Sequence, residues 1–130
     1  QTNEQLAGVY LKELQKMMSY EEALAQMENL RKLQDGNTTI ACVVTNAKLD
    51  KAQCTKIAGI AHNGYARAIH PVHTMSDGDT IFVLSTNEVE VMPDVVGILA
   101  TEVIATSIRN AVLHAEGAYG LLAHKDIIKE

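Results

Sequence analysis

The chain has 130 residues, of which 47% are hydrophobic and 21% charged, and this size and composition suit one globular domain. Its formal net charge of −5 argues against nucleic acid and anionic membrane surfaces as partners, because both are bound through basic patches. The chain shows neither a continuous apolar run of about 18 residues nor an opening signal peptide, so we expect a cytoplasmic protein. Cys42 and Cys54 are expected to be small, buried side chains without a disulfide.

The first half of the chain predicts a helix followed by a buried strand. Ser19 and Glu22 form a capping-box pattern, which predicts a helix that begins there and ends near Leu33. Turn-forming residues at 34–37 then lead into a β-branched, apolar run at 38–45. That run is typical of a buried strand.

The second half predicts helix, strand and helix. Asp50 predicts the start of a helix that ends before Pro71, and residues 80–85 predict a strand buried on both faces. A loop from Asn87 leads to Asp94, which predicts the start of a long apolar helix. This alternation indicates an α/β fold. Two long strands are too few for an independent sheet, so further strands are expected from uncertain segments or from outside this chain.

The start of the first long strand contains a possible nucleophile. Thr38 follows the turn directly, and a threonine hydroxyl becomes reactive when its own amine is free, since that amine can accept the hydroxyl proton near neutral pH. The hypothesis therefore requires scission of the Asn37–Thr38 bond by attack of the Thr38 hydroxyl on the Asn37 carbonyl. A turn that simply leads into a strand accounts for the same residues, because threonine is common in strands.

Asp77 and Asp79 flank Gly78 directly before the second strand. One of these carboxylates could orient the nucleophile while the other anchors the loop. An ordinary Asp-Gly turn is the alternative. A hard-cation site is a weaker one, because no third carboxylate lies close in sequence.

The histidines carry no clear metal pattern. His62 lies on the predicted helix, and His70 and His73 lie on either side of Pro71. A zinc site built from these three is an alternative that no cysteine spacing supports, and histidines bonded to main-chain groups explain them better. We therefore expect neither a metal nor an organic cofactor.

Three segments together resemble a known family, the self-processing L-aminopeptidase/D-esterase family, which includes β-peptidyl aminopeptidases and nylon-oligomer hydrolases. The segments are 36–40 (GNTTI), 43–46 (VVTN) and 73–82 (HTMSDGDTIF). Asn-Thr at the cleavage point with Asp-Gly-Asp downstream is most similar to the nylon-oligomer hydrolase branch. Other branches carry Gly-Ser at the first place and a serine in place of the first aspartate.

The resemblance implies a four-layer α-β-β-α sandwich like that of N-terminal nucleophile hydrolases. It implies cleavage between Asn37 and Thr38, with residues 1–37 ending an upstream segment and 38–130 forming the downstream segment. Thr38 would then be the nucleophile, with Asp77 and Asp79 supporting it. Family members are much longer, and the upstream part, which carries an oxyanion-stabilising asparagine, would complete the domain and its site.

The resemblance thus predicts a self-cleaving N-terminal-threonine hydrolase that acts on small peptides or amides as a homo-oligomer. Two alternatives stay open. One is acyl transfer, as in the ornithine acetyltransferases, which share this style of self-cleavage. The other is a non-catalytic, oligomerising α/β domain in which Thr38 merely begins a strand.

Overall fold

The computed structural model describes residues 4–30 and 37–127. The chain divides into two compact units, one spanning Asp35–Ile108 and the other formed by the two ends of the chain. Each unit is described by itself. The predicted α/β class is confirmed, because helices occur together with small sheets.

The unit formed by the chain ends contains a small antiparallel hairpin and short helices. Its elements are β1 (Tyr10–Leu11), a 3₁₀ helix (Lys12–Leu14), β2 (Lys16–Met17), α1 (Tyr20–Leu30) and α4 (His124–Ile127). The predicted capping box of α1 is confirmed, since the Glu22 N–H donates to Ser19 Oγ (3.1 Å) and the Ser19 N–H donates to the Glu22 carboxylate (2.8 Å). The helix end predicted near Leu33 and most of the predicted turn lie outside the described residues.

The unit Asp35–Ile108 is built on two parallel strands and the helix that connects them. Its elements are β3 (Ile40–Ala47), α2 (Lys51–Ala68), β4 (Thr80–Val89) and the first turns of α3 (Pro93–His114). The predicted start of α2 is confirmed by a capping box, in which the Asp50 carboxylate accepts the Gln53 N–H (2.7 Å) and the Gln53 side chain accepts the Asp50 N–H (2.8 Å). Helix α2 ends before Pro71, as predicted.

Strand β4 is longer than predicted, because pairing continues past Ser85 to Val89 in place of the expected loop from Asn87. Ala47 pairs with Val89 after a shift in register. Asn87 has a φ of 59°, a left-handed conformation that Asn tolerates, and its side chain accepts the Leu49 N–H (2.8 Å). This irregularity lets a polar stretch remain paired, which the hydrophobic pattern alone does not predict.

The β3–β4 sheet has one packed face and one open face. Side chains at odd-numbered positions up to residue 85 point towards α2, and the buried core beneath them contains Ala47, Leu49, Ile57, Ala61, Tyr65, Ile81, Val96, Ala100 and Ile104. Even-numbered side chains stay exposed, Val44 by 70% and Phe82 by 57%. The prediction that 80–85 is buried on both faces is therefore wrong, because the described residues cover one face only.

The two cysteines are free, but Cys42 is exposed and Cys54 is partly buried. The prediction of a buried Cys42 is wrong because position 42 belongs to the even-numbered, open face of β3. Composition alone does not assign a strand residue to one face or the other.

Helix α3 packs closely against α2 through small residues. A Cβ at Gly64 would lie 2.6 Å from the main-chain oxygen of Thr101, and one at Gly97 would lie 2.9 Å from Ile60 Cδ1. The buried Thr101 hydroxyl lies 3.1 Å from the Ile60 oxygen and 3.0 Å from the Gly97 oxygen, so it has main-chain acceptors on both helices. These contacts fix α3 beside α2.

Although it lacks a continuous apolar run, α3 is long and apolar enough to cross a membrane, with a mean hydropathy of 1.4. A core helix of a soluble protein meets the same criterion. One such helix is therefore weak evidence for a membrane span.

Candidate active site

The parallel register brings Thr38 and Gly78 side by side. An isolated bridge pairs Asn37 with Asp77 and keeps the register of the β3–β4 ladder that follows. Thr38 and Gly78 therefore occupy opposing positions just before the two strands begin. The two motifs that the sequence analysis singled out, 40 residues apart in the chain, meet at this end of the sheet.

Main-chain hydrogen bonds hold this end of the sheet together. They run from Asn37 N–H to the Ser76 oxygen (3.0 Å), from Gly78 N–H to the Asn37 oxygen (2.8 Å) and from Thr80 N–H to the Thr39 oxygen (2.9 Å). The Asn37 carbonyl belongs to the bond predicted to be cut. It is thus held by an N–H of the opposing segment.

Gly78 leaves the space that the Thr38 hydroxyl occupies. A Cβ at position 78 would lie 2.9 Å from Thr38 Oγ1, closer than real Cβ atoms approach other atoms, and 3.9 Å from the Asn37 oxygen. Gly78 does not have a positive φ. The glycine is therefore explained by this close approach and not by its backbone conformation.

Asp79 connects the start of β3 to the loop after α2. Its side chain is 5% exposed. The carboxylate accepts hydrogen bonds from the Thr39 N–H (2.9 Å) and the His73 N–H (3.3 Å), and it lies 2.7 Å from His73 Nδ1. Burial raises the pKa of Asp79, but the hydrogen bonds from Thr39 and His73 outweigh it and hold that pKa below its usual value. A buried carboxylate with these partners stays ionised at neutral pH.

Asp77 closes the loop in front of β4. Its carboxylate accepts the Thr74 N–H (2.6 Å), and its own N–H donates to the Thr74 oxygen (3.1 Å). The two aspartates thus have different partners. Among the described residues no hydrogen bond joins either carboxylate to the Thr38 hydroxyl, so their role in supporting Thr38 stays a prediction.

Tyr65 is a site residue that the sequence analysis missed. It is 1% exposed, and its hydroxyl lies 3.3 Å from the Thr39 oxygen and 3.2 Å from the Thr80 oxygen, between the two strands. Burial, with a smaller contribution from the Asp79 charge, raises the pKa of Tyr65, so the phenol remains a donor. In the sequence, Tyr65 is one member of the apolar stripe of α2. Its hydrogen-bond partners, Thr39 and Thr80, are distant in the chain, so no local pattern predicts these bonds.

His62 and His73 lie next to this tyrosine. The His62 ring meets the Tyr65 ring at 5.4 Å and the His73 ring at 4.9 Å, both edge-on. Burial lowers the pKa of His62, the His73 charge lowers it further, and Asp79 opposes both. The i, i+3 spacing of His62 and Tyr65 on α2 is the one local signal that could have indicated a shared face.

A metal centre finds no support in the part of the chain that the structure describes, where no group of three or more His, Cys, Asp or Glu could hold an ion. His62 and His73 do lie side by side. Their contacts are with each other, with Tyr65 and with Asp79.

A family model described as peptidase family S58 matches residues 2–125, and the chain belongs to that family. The resemblance found from the sequence motifs is thereby confirmed.

Named relatives agree with this assignment. The chain is 36% identical over 106 residues to an uncharacterised aminopeptidase of Mycobacterium tuberculosis, a match covering 70% of this chain and 31% of that protein. It is 39% identical over 75 residues to a 6-aminohexanoate-oligomer endohydrolase of Kocuria sp., covering 57% of this chain and 21% of that protein. The chain thus spans about a third or less of the length of these relatives.

Proposed function

We propose that this chain is the nucleophile-bearing part of a self-cleaving amide hydrolase. Scission of the Asn37–Thr38 bond would give Thr38 a free amine, and that amine would accept the proton of the Thr38 hydroxyl. The observation that carries the proposal is the meeting of Asn37–Thr38 with Asp77–Gly78 at the start of two parallel strands. Family membership supports the same chemistry.

Hydrolysis then proceeds in two steps on Thr38. Its hydroxyl oxygen attacks the substrate carbonyl, the amine takes the hydroxyl proton and passes it to the leaving amine, and an ester on Thr38 results. Water attacks this ester with the same amine as base, which releases the acid. The free amine has an ordinary pKa of about 7.7–8.0, so it can accept and donate protons near neutral pH.

Asp79 acts in this proposal as a positioning residue. Its carboxylate holds the Thr39 N–H at 2.9 Å, and Thr39 directly follows the nucleophile. Asp77 holds the loop that carries Gly78, through its two hydrogen bonds with Thr74. The hydrogen bond from Thr39 holds the Asp79 charge one residue from the new amine, where it would favour the protonated form of that amine and tune its basicity, and we propose that Asp77 contributes to the same tuning.

The remainder of the site is proposed to come from an upstream segment. Side chains two residues apart in a strand lie on the same face, so Thr38 lies on the same face as Ile40. Ile40 is 69% exposed on the open face of the sheet. A second sheet on that face would complete the four-layer sandwich and enclose Thr38 between the sheets. We propose small peptides or amides as substrates and a homo-oligomer as the working form; the names of the relatives, aminopeptidase and oligomer endohydrolase, support amide substrates.

Intact-mass measurement of the longer precursor tests this function. The unmodified precursor is expected to yield two fragments, one beginning at Thr38, and to hydrolyse aminoacyl amides or linear amide oligomers. Thr38→Ala is expected to abolish both the splitting and the hydrolysis. Thr38→Ser, which keeps a hydroxyl at the same position, is the matched control and should retain both at reduced rates.

The outcomes separate the rival functions. A precursor that stays intact under all conditions would contradict self-cleavage and favour a non-catalytic oligomerising domain. Processed protein that transfers acyl groups to an added amine far faster than to water would favour an acyltransferase of the ornithine acetyltransferase type.

A further inference from the structure

We infer that the main-chain N–H of Gly78 is the oxyanion donor for self-cleavage, stabilising the negative charge that develops on the Asn37 oxygen when Thr38 attacks. This inference rests on the proposed function. It gives a role to a main-chain group, which no side-chain motif identifies. It concerns cleavage of the Asn37–Thr38 bond and not the later hydrolysis of substrates.

The distance and its surroundings support this assignment. The Gly78 N–H already donates to the Asn37 carbonyl oxygen at 2.8 Å, so it faces the atom on which negative charge develops during the attack. The neighbouring bonds, from Asn37 N–H to Ser76 and from Thr80 N–H to Thr39, hold both segments in register on either side. The donor is therefore fixed before the reaction begins and needs no reorganisation.

Glycine at this position serves the same step. With no side chain, residue 78 leaves free the position that the Thr38 hydroxyl occupies. A Cβ would lie 2.9 Å from Thr38 Oγ1 and displace it. Residue 78 thus provides both the N–H for the carbonyl oxygen and the space for the nucleophile.

Self-cleavage moves the Asn37 acyl group from the Thr38 nitrogen to the Thr38 hydroxyl oxygen. A bond forms between Thr38 Oγ1 and the Asn37 carbonyl carbon, and the carbonyl electron pair moves to the oxygen that faces the Gly78 N–H. Collapse breaks the C–N bond, the hydroxyl proton ends on the Thr38 nitrogen, and an ester joins Asn37 to Thr38. Water then hydrolyses the ester to an Asn37 carboxylate and a Thr38 with free hydroxyl and amine.

A backbone ester provides a direct test, because it removes one N–H and changes no side chain. Glycolic acid in place of Gly78, within the full-length precursor, is expected to slow splitting about 100-fold or more, as measured by intact mass over time. The matched control is the hydroxy-acid analogue of lysine at position 48. It removes the N–H that donates to the Val89 oxygen at the other end of the β3–β4 sheet and leaves the Asn37 carbonyl paired, so its splitting rate should stay near that of the unmodified precursor.

The results distinguish this inference from the proposed function. If the unmodified precursor never splits before Thr38, the function fails and the inference with it. If the precursor splits and the ester at 78 splits as fast as the ester at 48, the inference alone is overturned.

A second measurement applies if the ester at 78 does not fold. In the Thr38→Ala precursor, which cannot split, the Gly78 amide hydrogen should exchange with solvent at least about 100-fold more slowly than in an unfolded peptide. Exchange at the unfolded rate would overturn the inference, because the N–H would then have no lasting bond to Asn37.

Discussion

At the scale of single residues, Asp79 does the most to shape the site. Its carboxylate accepts hydrogen bonds from Thr39 on one segment and from His73 on another, while only 5% of its side chain is exposed. Hydrogen bonds to a charged acceptor are stronger than those to a neutral one, so a neutral side chain at this position would pair these donors less well. The same bonds hold the pKa of Asp79 below its usual value, against the burial that raises it.

This lowered pKa predicts how stability depends on pH. Because the folded pKa lies below the unfolded value of about 3.9, the stabilisation is present above that pH and is lost as pH falls through the folded pKa. Asp79→Asn in the uncut Thr38→Ala precursor is therefore expected to be about 1–3 kcal/mol less stable near pH 7. In denaturant titrations the difference should shrink as pH falls below the unfolded value of about 3.9 and through the folded pKa. A difference that stays constant over this range would contradict the account of Asp79.

At the scale of elements, the contact between α2 and α3 depends on the absence of a side chain at Gly64. A Cβ there would lie 2.6 Å from the Thr101 oxygen and 2.8 Å from Ile104 Cβ, neither of which can move without shifting α3. Gly59 lies on the same helix, and a Cβ there meets nothing within 4 Å. The two glycines therefore form a matched pair with opposite expectations.

Gly64→Ala is expected to destabilise the uncut precursor by about 1–3 kcal/mol through overpacking. Gly59→Ala should stabilise it by up to about 1 kcal/mol, because alanine is the better helix former. Denaturant midpoints of the two variants provide the measurement. Equal effects, or a stabilising Gly64→Ala, would contradict the close packing of these helices.

Elements defined by local chemistry could be predicted from the sequence, and those defined by pairing could not. The capping boxes at Ser19 and Asp50 involve residues three apart, so the pattern in the chain fixes both helix starts. The continuation of β4 through Asn87 depends on its partner strand, which no local window contains. The same holds for the site: Thr38 and Asp79 stand out in the sequence, whereas Tyr65 joins them only through the fold.

At the scale of the whole molecule, no described part of the chain covers the open face of the β3–β4 sheet. Ile40, Val44, Phe82 and Leu84 are each more than half exposed there. A groove of about 330 Å³ continues this apolar surface between β3 and α3. Contiguous apolar surfaces of this kind mark interfaces. The chain covers only 31% of the length of its mycobacterial relative, so a further segment of a longer protein could cover this face.

A charge on this face distinguishes a covered surface from a solvated one. If a second sheet covers it in the full-length precursor, Phe82→Asp is expected to lower the free energy of unfolding by about 3–5 kcal/mol, because the substitution removes a packed ring and buries an unpaired carboxylate. Asn63→Asp adds the same charge on the exposed side of α2 and should change stability by no more than about 0.5 kcal/mol. Denaturant titration of both variants in the Thr38→Ala background gives the comparison. Equal, small effects would mean that the face remains in water, and the proposed four-layer sandwich would then be wrong.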